Sequence, residues 1–166
     1  MPGSRRNEMP TVRLSFSPAP AHVRTARLVG VAVARRAGVA EELLEEIRLA
    51  IGEACSRAVA LHRTHGVEDL VDVAMDDGER FTVRVVDRAG NGTALGPPTD
   101  PALFLADPAP PAAGSPEALS EEAVAARMGL ALLAGLVDDL EVASVGDGVG
   151  TEVSMSWPVE RPPKDG

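Results

Sequence analysis

The chain has 166 residues, and 45% of them are hydrophobic, enough for one compact domain with its own core. Only 2% are aromatic, so that core must be built from Val, Leu, Ile and Ala. The formal net charge is −9, and it is lopsided: residues 1–65 carry net +4 and residues 66–166 net −13, a balance that excludes a generic nucleic-acid binder.

The first ten residues are polar and read as a flexible N-terminus. Thr11–Phe16 alternates Val12, Leu14 and Phe16 with polar neighbours, the period of a half-buried strand, and Pro18 and Pro20 end it. From Ala21 to Ala37 apolar residues recur at Val23, Ala26, Gly30, Val33 and Ala37, which predicts a helix. Its arginines, Arg24, Arg27, Arg35 and Arg36, are left for solvent or a partner, and Gly38 stands where a C-terminal cap belongs. A second helix is predicted over Ala40–Arg63. Its stripe is Leu43, Leu44, Ile47, Ala50, Ile51, Ala54, Ala58 and His62, with Glu41, Glu42, Glu45 and Glu46 in the first turns, where the helix dipole favours acids. Gly52 is the one interior breaker.

Two strands follow: Asp69–Met75, alternating Leu70, Val71, Val73 and Met75 with acids, and the β-branched Phe81–Val86. Asp76-Asp77-Gly78-Glu79 makes the hairpin between them. Gly96–Ser120 then holds seven of the chain's 14 prolines and reads as a long loop, with Leu103-Phe104-Leu105 as an apolar island inside it. Ser120, Glu121 and Glu122 open a third helix that the apolar pattern carries unbroken to Val137. Strands at Leu140–Val145 and Thr151–Trp157 flank a Gly146-Asp147-Gly148 turn, and 159–166 is a flexible tail. This order predicts a two-layer α/β sandwich from residues 11–158, with a mixed, mostly antiparallel sheet and helices on one face.

Lone Cys55 cannot form an internal disulfide, and no CxxC or His/Cys cluster points to zinc. The longest apolar run, Met128–Val137, is far short of the ~18–20 residues of a membrane span. With no apolar segment after Arg5-Arg6 to make a signal peptide, the expected location is the cytoplasm.

Four segments, in order, resemble the GHKL (Bergerat) ATPase fold, and more narrowly the anti-sigma-factor serine/threonine kinases of the RsbW and SpoIIAB type. Residues 46–62, EIRLAIGEACSRAVALH, are similar to that family's asparagine box; residues 83–92, VRVVDRAGNG, to its first glycine box. Residues 127–142, RMGLALLAGLVDDLEV, resemble its second glycine box, and residues 150–157, GTEVSMSW, its final Gly-Thr strand. The resemblance implies a catalytic role for Glu53, an adenine-reading role for Asp87, and nucleotide contacts from Gly90, Gly92, Gly129 and Thr151. It also implies ATP or ADP as ligand, with the Pro-rich 96–120 segment as a lid. Implied partners are a sigma factor and a STAS-domain anti-anti-sigma factor, with a homodimer as a further expectation. Arg24 and Arg27 lie on the matching partner-binding helix.

The chain departs from the pattern at its functional positions. Where the family has the magnesium-binding Asn, four residues after the Glu, this sequence has Arg57, whose guanidinium has donors only. The first box holds Ala89 and Asn91 at glycine positions, and the second has Arg127 in place of one glycine. The family would break the third helix near Arg127–Gly129 to bind phosphate, whereas the apolar pattern runs through. On the residues alone, Glu53 and Arg57 form an i,i+4 pair at the edge of the apolar stripe, Asp87 a solvated turn, and Gly129 either a packing glycine or a phosphate site. The expected function is therefore an anti-sigma-like regulator acting by protein binding, with no metal site expected. The alternative is an active ATP-dependent serine kinase, and a third reading has Arg57 and Arg127 drawing another anion into the pocket.

Overall fold

A computed structural model describes residues 11–91, 121–145 and 149–160, those at 90, 91 and 121–127 by their backbone alone. Among the described residues, five strands and three helices run in the order β1 (Thr11–Phe16), α1 (Pro20–Ala37), α2 (Leu44–Thr64), β2 (Val71–Asp77), β3 (Arg80–Asn91), α3 (Glu121–Leu136), β4 (Asp139–Ser144) and β5 (Val149–Pro158). A single 3-10 turn, Glu41–Leu43, leads into α2. The expected Pro-rich loop, N-terminus and Gly146–Gly148 turn lie outside the described residues, as does the end of the tail.

The sheet order is β1-β2-β3-β5-β4, and all four pairings are antiparallel, so the expectation of a mixed sheet is corrected. The reason is connectivity. β2–β3 and β4–β5 follow one another along the chain, and α1 and α2 together return the chain so that β2 runs against β1. The one crossover, through α3, makes β4 parallel to β3, but β5 inserts between them.

Register explains the core. One row across the sheet reads Val12, Met75, Val83, Met155, Leu140, and the next reads Leu14, Val73, Val85, Val153, Val142. Both rows face the helices, and their central members are buried. Burial contributes roughly 1.5–3 kcal/mol for each such side chain. The intervening rows, such as Thr11, Asp76, Thr82, Ser156 and Asp139, form the open face.

Period two also corrects one boundary. Leu70 and Val71 cannot both point inward, and the strand starts at Val71 while Leu70 is exposed. At the end of α1, Gly38 adopts φ 92°, its N–H donating to Arg35 O and that of Val39 to Ala34 O, a Schellman closure. The Glu160 N–H donates to Gly38 O at 2.9 Å and Val159 packs on the core, so the chain is held two residues beyond the expected boundary.

β3 is longer than its β-branched run. Thr151 and Glu152 of β5 pair with Asp87 and Val86, and the ladder resumes at Asn91 opposite Val149 after a register shift. Gly150, at φ 106°, sits in this irregularity. A Cβ there would overlap the carbonyl oxygen of Asp87 and lie 3.0 Å from Arg88 Cα, so only glycine fits.

Candidate nucleotide-type site

Below the two apolar rows, the sheet's helix-facing side ends in a polar one: Asp87 on β3, Thr151 on β5 and Ser144 on β4. α2 crosses above it. Because Glu53 and Arg57 are four residues apart, both lie on the flank of α2 that also meets α3.

Arg57 is not a solvated partner of Glu53. It is buried, and its guanidinium reaches across to β3, where Nη1 donates to Asp87 Oδ2 at 3.2 Å. Asp87 is not a solvated turn either: it is 1% exposed within a strand, and its Oδ1 accepts the Ala89 N–H at 3.1 Å. Burial pushes the Arg57 guanidinium below its ordinary pKa, and the Asp87 carboxylate opposes that shift by charge and hydrogen bonding. Arg57 Nε has no hydrogen-bond partner among the described residues.

His62, one turn and a half further along α2, ties the same end together. Arg88 N–H donates to its Nε2 at 2.8 Å, so the ring proton lies on Nδ1, which donates to the Asp69 carbonyl at 3.0 Å. This side chain had only an apolar-face position in the sequence. Its function is to anchor β3 immediately after Asp87.

α3 runs unbroken from Glu121 to Leu136, so the interruption near Arg127–Gly129 does not form. Gly129 is a buried mid-helix residue packed on α2. A Cβ there would lie 3.5 Å from Glu53 Oε2 and 4.0 Å from Arg57 Cβ. Glu53 is thus half-buried between α2 and α3, and makes no ion pair among the described residues. Thr151 pairs with Asp87 across the ladder, Gly90 continues β3, and Gly92 is outside the described residues. The side chain of Arg127 is likewise not described. The structure therefore unites Glu53, Arg57, Asp87, Gly129 and Thr151, and sets Arg24 and Arg27 apart on α1.

These groups do not fit a magnesium–nucleotide complex. The position that would supply an oxygen ligand carries a donor-only cation, and that cation is already bound to the carboxylate that would read adenine. No free helix N-terminus is offered at Gly129 for phosphate. Among the described residues, no group of three or more His, Cys, Asp or Glu is placed to hold a metal ion. No described helix is long and apolar enough to cross a membrane.

A five-stranded antiparallel sheet with helices packed on one face, closed at one end by polar groups from α2, β3 and β5, is a GHKL-type ATPase fold. The profile of the histidine kinase-like ATPase domain matches residues 16–157, and the chain belongs to that family. Among curated proteins, no match was found.

Proposed function

We propose that this histidine-kinase-like domain is an anti-sigma-type regulator of transcription that works by protein contact, without bound nucleotide. Its partners would be a sigma factor, a STAS-domain anti-anti-sigma factor, or both. The observation that carries this reading is the buried Arg57–Asp87 pair, which fills the place of metal and adenine with the chain's own charges. A site closed in this way gives a scaffold of constant shape, suited to holding a partner.

A second reading, an ATP-dependent serine kinase acting on the STAS partner, draws on Glu53. That carboxylate makes no ion pair among the described residues and so stays available as a base. Calorimetric titration of ATP and ADP, with magnesium and again with EDTA, separates the two. No heat in either buffer, together with co-purification of a sigma or STAS protein from the native cell, supports the contact regulator. Micromolar, magnesium-dependent binding refutes it and favours the kinase.

A further inference from the structure

Among the described residues the sheet has two open edges, β1 and β4, and they differ. β4 carries Asp139 and Glu141, both exposed, with Asp138 just before it, charges that discourage a neighbouring strand. β1, with no proline and Arg13 as its one charge, has no such guard. Its outer row of N–H and C=O groups pairs with no described strand. As at β4, the apolar rows end half-covered. Val12 and Leu14 pack on the core yet are only half-buried, while Met75 and Val73 opposite them on β2 are fully buried.

A cleft of about 410 Å³ lies at the Phe16 end of this edge, lined by Leu14, Ser15 and Phe16, by His22 and Thr25 of α1, and by Leu70. Consecutive strand residues point to opposite faces, so a cleft that Leu14, Ser15 and Phe16 all line opens along the side of the strand rather than on either face. Leu70, exposed just before β2, gives it an apolar wall. On the outer face of β1, Thr11 and Ser15 turn their hydroxyls back to donate to Asp76 and Asp72 of β2. Arg13, between them, makes no ion pair among the described residues.

We propose that β1 accepts an extended segment of a partner protein as an added strand, antiparallel like every other pair in the sheet. The edge's main-chain groups bind main chain, and the side chains set the choice of segment. Opposite Phe16, Leu14 and Val12 the segment carries aliphatic residues, which complete the half-covered rows and enter the cleft. Opposite Arg13 it carries a carboxylate on the outer face. The recognised pattern is therefore aliphatic, polar, aliphatic, acidic, aliphatic. The inference rests on the protein-contact reading above and gives that contact a surface and a mode.

The test uses the full chain and the fluorescein-labelled peptide Ser-Val-Thr-Val-Glu-Val-Ser, followed by fluorescence anisotropy. Two further peptides are N-methylated, each on one of the two alternate sets of amides. Only one set faces β1, so one of these peptides should bind about tenfold weaker or worse, while the other binds like the parent. A peptide with Lys in place of Glu should bind less well than the parent, and Arg13→Glu should reverse that order. Leu70→Asp, at an exposed position, should weaken the parent peptide by several-fold. Amide exchange in β1 should slow on binding at the N–H groups that point away from β2. No binding, equal binding of both N-methylated peptides, an order unchanged by Arg13→Glu, or no slowing of exchange in β1 would each overturn the proposal. So would slow exchange at those amides in the free chain, the sign that residues 1–10 or a second copy already sit on the edge. None of these readouts involves nucleotide or the Arg57–Asp87 pair. Failure here leaves the contact regulator standing, and magnesium-dependent ATP binding leaves the edge untouched, so the two readings fail separately.

Discussion

Replacing Arg57 with Met keeps an unbranched apolar stem and removes the guanidinium with its charge. Asp87, 1% exposed, is then left with the Ala89 N–H as its remaining hydrogen-bond donor and no counter-charge among the described residues. Breaking a buried ion pair from one side costs about 3–5 kcal/mol, because the surviving charge keeps its desolvation penalty without compensation. A domain of this size loses about 2–4 °C of Tm per kcal/mol, so Tm should fall by roughly 10 °C. Asp87→Asn should cost a similar amount, since Arg57 is then the stranded charge. The double variant, Arg57→Met with Asp87→Asn, should cost much less than the two singles together, with a coupling of at least about 2 kcal/mol. Urea denaturation followed by the fluorescence of Trp157 measures all four proteins. Trp157 is the only tryptophan, buried in β5, and its Nε1–H donates to Glu46 Oε1 at 2.8 Å, so its emission reports loss of the α2–sheet contact. Additive single effects, or an Arg57→Met variant within about 1 kcal/mol of the parent, would refute the idea that this pair closes the site.

Gly150→Ala must move the Asp87 carbonyl and adopt a left-handed φ, so it should destabilise by several kcal/mol, roughly the top of the range for single substitutions, in the same denaturation assay. His62→Ala leaves Arg88 N–H without its acceptor and opens space under α2, a loss of about 2–4 kcal/mol, with faster amide exchange at Arg88 as the specific sign. Burial pushes the Cys55 thiol up from 9.0 to about 12, opposed by the charge of Arg27. Iodoacetamide should therefore leave the native protein unmodified at pH 8 and label it only on unfolding. The same shift gives a sign for alkaline stability. The unfolded thiol ionises near its ordinary value, so the contribution is complete below about pH 9 and is lost as pH climbs toward 12.

Much of the fold can be read directly from local pattern. β1 falls on Thr11–Phe16 as its alternation requires, and Gly38 caps α1 as its position suggests. Both outcomes depend on residues close together in the chain. The third helix is more instructive, because two readings conflicted there. The continuous apolar run of Met128–Val137 predicted an unbroken helix, the family motif predicted a break, and α3 is unbroken. A phosphate-binding break exposes backbone amides, and with Leu130, Leu133 and Val137 buried against the core the helix is held closed.

The site was legible as a set of positions but not as a state. Glu53, Arg57, Asp87, Gly129 and Thr151 were all marked by motif order, yet the local readings put Arg57 beside Glu53 at the edge of a helix's apolar stripe and Asp87 in a solvated turn. Their partnership spans 30 residues of sequence, and no periodicity carries that information. Gly52 is a similar case: in the sequence it is an unexplained cost to α2, and in the structure it is the seat of Arg27 from another helix.

The sequence by itself determined the strands, the helices, the faces they bury and the family to which the chain belongs, because periodicity and capping are local properties of the backbone. Tertiary structure alone decided which charges meet. Burial makes an unpaired charge expensive, so the packing of α2 against β3 selected Asp87 for Arg57, and the packing of α1 against α2 seated the Arg27 guanidinium over Gly52.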